Sequence, residues 1–193
     1  PRVSVDLPAV SFFSRTYNNV GTSFISPAAY THGDIGFSYD YQNKKQLHLV
    51  QEGEDLNQYK LAAEGLVVNK KRMYWGKAFY RNYKKKNVQW NNIYDYNRVG
   101  PYLITDSIGG DTYADEYVIS GGLAIEHNKW IFGGEADFVA GQNYRKRDPC
   151  PKATSTDMNL QLSASYNLIP DYQIGVSGQI EQYKEDVQIN VYH

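Results

Sequence analysis

The chain has 193 residues, a net charge of −1 and a mean hydropathy of −0.60. That length suits one large β-domain or two small ones. The balanced charge provides no global field for nucleic acid, which is therefore not an expected partner. No run of about 18 apolar residues occurs, which excludes a transmembrane helix. A transmembrane barrel stays open, because its lumen residues dilute the hydropathy. Tyrosine is abundant, at 18 residues, and one cysteine, Cys150, rules out an intrachain disulfide framework.

The first 32 residues contain "VSVDL" and "FISPAAY", each fit for an extra strand or a lumen plug. From Gly33 to Gln42 the side chains alternate: Ile35, Phe37, Tyr39 and Tyr41 oppose Asp34, Ser38, Asp40 and Gln42. A strict period of two puts these sets on opposite faces of a strand. "NKK" at Asn43–Lys45 predicts a tight turn into a short strand over Gln46 to Val50. A further strand runs from Asn57 to Val68, with Tyr59, Leu61, Ala63 and Val67 against Gln58, Lys60 and Glu64. "NKK" recurs at Asn69–Lys71 and leads into a strand from Arg72 to Asn82. A polar, aromatic connection follows over residues 83–112. The next strand sets Tyr117, Ile119, Leu123 and Ile125 against Glu116, Ser120 and Glu126. "HNK" at His127–Lys129 turns it into Trp130 to Gly141, with Trp130, Phe132, Ala136 and Phe138 opposing Glu135 and Asp137. A loop "NYRKRDPCPKATST" precedes Asp157 to Leu168, and Ile169–Asp171 turns the chain into Tyr172 to Ile180. Val187 to His193 would begin a ninth strand.

Strands of about a dozen residues exceed the usual ~5–6 of soluble domains and approach the ~9–11 needed to cross a bilayer. The four tight turns are expected at one rim, with the long connections at the other. Tyr39, Tyr41, Tyr74, Trp75, Trp130, Tyr166 and Tyr172 lie beside tight turns in this reading. Tyr59, Tyr80, Tyr117, Phe138 and Tyr183 lie towards the far ends. Two such bands fit interfacial girdles. The predicted fold is therefore all-β: an antiparallel up-and-down transmembrane β-barrel with about eight strands present. Residues 1–32 form an N-terminal segment, and 33–193 carry the barrel strands with a long loop at 83–112. Ile35, Phe37, Leu61, Leu123, Phe132, Leu160, Leu162 and Val176 should face lipid; Ser38, Lys60, Ser120, Glu135, Gln161 and Ser177 should face the lumen.

"ISPAAYTHGDIGFSYDY", "VQEGEDLNQY", "GKAFYRN", "GPYLITDSIGGDTYADEYVISGG" and "RKRDPCPKATSTDMNL" resemble the N-terminal part of an uncharacterised family of Bacteroidota outer-membrane β-barrels. "DSIGGD" and "RDPCPK" are the specific stretches. The resemblance covers most of the chain from Gly21 and implies a larger barrel. The strand near His193 is therefore not expected to pair with that near Gly33. "SPAA" (Ser26 to Ala29) also resembles the Asn-Pro-Ala-Gly hatch of fatty-acid-transporter barrels, with Ser26 and Ala29 departing from it.

The long connection carries Trp90, Tyr94, Tyr96 and Tyr102, which would stack on glycan, contact a partner or pack within the loop. Trp90 is expected to be its most buried residue, in an ordered excursion beyond the rim. Arg81, Lys84, Lys85 and Lys86, and Arg145, Lys146 and Arg147, form two basic clusters at loop ends. These would meet lipopolysaccharide phosphates or a partner barrel, or serve as a solvated rim. Asp106 and Asp111 in "DSIGGD" are a calcium candidate whose alternative is a solvated Gly-Gly turn; the spacing is not that of an EF-hand. Histidines 32, 48, 127 and 193 are isolated, without ligand spacing. No nucleophile context accompanies the Ser, His and acidic residues, so no cofactor or enzymatic activity is expected. The expected function is a non-enzymatic pore, channel or accessory subunit of an envelope complex in the outer membrane, bounded by lipid and lipopolysaccharide. A soluble or surface β-sheet module binding glycan through aromatic loops is the alternative.

Overall fold

The computed structural model describes residues 29–43, 51–99, 108–147, 150–169 and 172–190. They form one antiparallel sheet in strict chain order: β1 (Tyr30–Asn43), β2 (Asp55–Asn69), β3 (Arg72–Val88), β4 (Gly110–His127), β5 (Trp130–Arg145), β6 (Cys150–Ile169) and β7 (Tyr172–Asn190). A short helix, α1 (Tyr96–Val99), lies in the connection between β3 and β4. The sheet is open: β1 and β7 are its two edges and do not pair with each other.

The strands run from 14 to 20 residues, longer than the apolar alternation alone predicts. β3 continues through the lysine run to Val88, and β4 already begins at Gly110, so the connection is 89–109 rather than 83–112. The two strands hold each other in this extension, with Lys84 opposite Tyr113 and the Lys84 ammonium 2.5 Å from the Asp111 carboxylate. The expected loop "NYRKRDPCPKATST" is mostly strand for the same reason, with Asn143 opposite Ala153 and Tyr144 opposite Lys152. Val187 to Asn190 extend β7 instead of opening a ninth strand. The short strand expected at Gln46–Val50 lies outside the described residues.

Two-residue turns close β2–β3 (Asn69 opposite Arg72) and β4–β5 (His127 opposite Trp130). Asn128 has φ 58°, the left-handed conformation that such turns require and asparagine tolerates. β6 and β7 meet at Ile169 and Tyr172 on the same rim. Asn43 is different. It pairs with Asp55, at the rim shared with Val88 and Gly110. β1 therefore starts at the tight-turn rim, not at the long-loop rim, because it pairs with β2 directly. Tyr39 and Tyr41 move with this correction to the long-loop rim. Residues 1–28, expected to hold an extra strand or a lumen plug, lie outside the described residues.

Register lines up the alternation across all seven strands. One row runs Phe37, Leu61, Tyr80, Tyr117, Ala140; two residues towards the tight turns another runs Ile35, Ala63, Ala78, Ile119, Phe138, Met158. Every residue expected on the apolar face is exposed there, Ile35 at 81%. The upper aromatic band is Tyr39, Tyr59, Tyr80 and Tyr117, with Tyr39–Tyr59 and Tyr80–Tyr117 ring centroids 4.9 Å apart. The lower band contains Tyr74, Trp130, Phe132, Tyr166 and Tyr172.

The opposite face is the sheltered one, and it is not polar throughout. Leu66, Val68, Met73, Trp75, Ala124 and Ile131 form a buried cluster on it near the tight turns. Trp75 therefore departs from the girdle expected of it: its odd position in β3 shares a face with Lys77 and Arg81, and it is 6% exposed. Its indole lies over Gly122, where a Cβ would sit 2.6 Å from both Trp75 Cη2 and the Gly134 carbonyl. Only glycine leaves room for the ring.

Candidate functional site: a polar cleft under a folded-in loop

The first part of the connection after β3, residues 89–99, turns back over the polar face of β4–β7 instead of rising beyond the rim. The turn is made by Asn87 (φ 51°) and Trp90 (φ 54°), both left-handed. Arg145, buried on β5, donates from Nη2 to the Val88 and Asn91 carbonyls at 2.9 Å each. Asn143 Nδ2 donates to the Ile93 carbonyl at 2.6 Å. Buried Ile93 and Val88 follow from this seating. The Tyr94 backbone N–H donates to Glu185 Oε1 at 2.6 Å. Its ring lies against Gly141, where a Cβ would collide with it, and its hydroxyl donates to the buried Glu116 carboxylate. Burial, then the bond to Glu116, pushes the Tyr94 pKa well above the ordinary phenol range, so the hydroxyl stays a donor.

Arg98, at the end of α1, completes the crossing. Its guanidinium reaches Asp157 on β6 at 2.7 Å and Glu181 on β7 at 2.8 Å, and stacks over Tyr183 at 5.1 Å. Partial desolvation opposes the charge, but Asp157 and Glu181 outweigh it and raise the pKa. Arg98 thus stays cationic and pins α1 to the sheet.

Between this loop and the Trp75 cluster lies a cleft of about 640 Å³. Its lining includes Lys77, Ser120, Glu135, Asp137, Asn159 and Glu181. One register row carries five of these: Lys77, Ser120, Asp137, Asn159 and Glu181. Glu135 and Gln161 form part of the row below.

The aromatic site residues separate. Tyr94 is seated as above, and Tyr96 opens α1. Trp90 is 48% exposed, not the most buried residue of the loop, because its left-handed φ turns the chain there while Ile93 goes in. Tyr102 and Asp106 lie outside the described residues. The basic clusters are largely engaged within the protein. Arg81 pairs with Glu116 at 2.7 Å, Lys84 with Asp111, Lys86 with Asp55 at 3.0 Å, and Arg145 holds the loop. Lys85 stands over the Tyr83 ring and Lys146 over Tyr113, while Arg147 is exposed. Asp111 is taken by Lys84, which uses a carboxylate of the calcium candidate. Arg98, Asp157 and Glu181 were not singled out by sequence reasoning. Asp157 read as one of several carboxylates on a polar face, Glu181 lay just past the strand predicted to end at Ile180, and Arg98 lay in the connection expected over 83–112.

No curated protein and no solved structure matches the chain. A family model described as a family of unknown function (DUF6850) matches residues 24–193, nearly the whole chain, so the chain belongs to that family.

Proposed function

We propose that the chain forms the wall of an outer-membrane β-barrel of the Bacteroidota type, without enzymatic activity. It acts as a pore, channel or accessory subunit of an envelope complex. The observation that carries this reading is the inverted burial. Large apolar side chains cover the exposed face between two aromatic bands, while charged residues occupy the sheltered face. A soluble sheet would bury the apolar face, since contiguous apolar patches beyond a few hundred Å² are rarely left in water. A bilayer reverses that preference, and the aromatic bands then sit at its two interfaces. On this reading the polar face lines a passage, and the segment from Asn91 to Arg98 narrows it.

The test uses two of the three tryptophans. Trp130 is exposed in the lower band, and Trp75 is buried on the opposite face. Trp130 fluorescence should be strongly quenched by brominated phosphatidylcholine, and Trp75 fluorescence should not, in variants retaining one tryptophan each. Equal quenching of both, or a protein that stays soluble without detergent and quenches in neither, would favour a surface module binding glycan through its loops.

A further inference from the structure

We propose that the cleft under the folded loop binds a solute carrying an ammonium group. Glu135 and Asp137 supply the charge; Asp157 Oδ1, Asn159 Oδ1 and the Ser120 hydroxyl supply the acceptors. The inference goes beyond the membrane reading and does not depend on it, because the cleft lies on the sheet's sheltered face in either environment.

Charge is the first argument. The lining holds five carboxylates, Glu116, Glu135, Asp137, Asp157 and Glu181, against two cations, Lys77 and Arg98. Arg81 neutralises Glu116 from beside the cleft, and Arg98 is committed to Asp157 Oδ2 and Glu181. Glu135 and Asp137 are left facing each other, with Lys77 the one cation of the described lining not bound elsewhere. Among the described residues Glu135 and Asp137 have no ion-pair partner, and the bond Asp137 accepts comes from the neutral amide of Asn159 at 3.1 Å.

Unpartnered atoms are the second and independent argument. Ser120 is 4% exposed and its Oγ has no hydrogen-bond partner. Asp157 Oδ1 and Asn159 Oδ1 are likewise buried and unpartnered. Buried polar atoms are nearly always satisfied, so three orphans lining one cleft point to an absent group. All three accept hydrogen bonds, and two of them do nothing else. Their complement is a donor, and the excess negative charge selects a cationic one. An ammonium offers three N–H donors and no acceptor, as these walls require. A divalent metal fits less well: among the described residues no three His, Cys, Asp or Glu side chains converge on one point. A neutral sugar would satisfy the oxygens but leave the charge.

Lys77 shares the register row of Ser120 and Asp137, so its own ammonium competes for the same carboxylates. That makes the proposal sharp in both directions. The full chain, folded in a polyoxyethylene detergent at low ionic strength, is titrated calorimetrically with 1,4-diaminobutane. Maltose and magnesium chloride serve as the neutral and metal probes. Saturable binding of the diamine is expected. Asp137→Asn should weaken it roughly tenfold or more, and Lys77→Met should tighten it several-fold. Glu135→Gln replaces Asp137→Asn if that variant fails to fold by circular dichroism. A purely structural role for the acidic pair would not tighten binding in Lys77→Met. The proposal is overturned if the diamine fails to bind, if the carboxylate variants bind it as the wild type does, or if maltose or magnesium alone saturates the site.

Discussion

Ile180→Arg is expected to cost about 2–4 kcal/mol of folding stability in a bilayer, and Gln179→Arg close to nothing. The two residues are neighbours on β7 and point to opposite faces. Ile180 is 72% exposed and lies in the row Gly33, Gly65, Gly76, Gly121, Ala136, Leu160. On β4 that row is midway between Tyr117 of the upper band and Ile125, which pairs with Phe132 of the lower band. At about 3.3 Å per residue, the four residues on either side span about 26 Å in all, close to the ~25 Å apolar belt of outer-membrane barrels. A guanidinium there meets hydrocarbon, whereas one at position 179 meets the polar cleft. Water inverts the expectation. An exposed isoleucine on a soluble protein can be replaced by arginine within about 0.5 kcal/mol. Urea titration of the protein folded in phosphatidylcholine vesicles measures the difference directly. Two variants of equal stability, or an Ile180→Arg protein that folds better in plain buffer, would end the membrane reading.

The alternation that motivates this experiment was open to sequence reasoning, because period two is a local property. All the strands of the described sheet appear where alternating residues predicted them. What lay beyond reach depends on partners distant in the chain. The run Lys84–Lys86 has low strand propensity. It is strand because Asp111 and Asp55 lie within ion-pairing distance and the backbone opposite is already extended. Pro149 and Pro151 read as loop, yet Pro151 is the second residue of β6, where a missing N–H is tolerated. Trp75 was legible and misplaced: parity puts it opposite Tyr74, but proximity to a turn suggested a girdle. The fate of the long connection was not legible. Its anchors, Asn143, Arg145, Asp157, Glu181 and Glu185, lie 50 to 91 residues from the groups they hold, or between those limits. The left-handed turns at Asn87 and Trp90, which aim it inward, leave no mark on the hydrophobic pattern.

Those anchors make the loop's hold on the polar face testable, and Arg145→Met should loosen it most. The Arg145 guanidinium is buried and donates to both the Val88 and Asn91 carbonyls, with Nε 3.5 Å from Thr112 Oγ1. Methionine keeps most of the stem's volume and removes the fork. Each hydrogen bond from a charged donor contributes about 1.5–3 kcal/mol, and two carbonyls lose theirs together. A net loss of about 2–4 kcal/mol in the free energy of loop opening corresponds to roughly 30-fold or greater acceleration of local hydrogen exchange. The Tyr94 amide reports it, since it bonds to Glu185 Oε1 on β7 only while the loop is seated. Arg145→Lys should recover little, because a single ammonium cannot match the planar fork. Gly141→Val supplies an independent route to the same state by filling the seat of the Tyr94 ring. Exchange in the strand centres should stay near wild type in both variants. If the segment narrows a passage, both variants should also raise the rate at which proteoliposomes swell in small solutes. Faster exchange without faster swelling would leave the loop a seated cover on a closed wall. Unchanged exchange would mean that Asn143, Glu185 and the Arg98 ion pairs hold the crossing without Arg145.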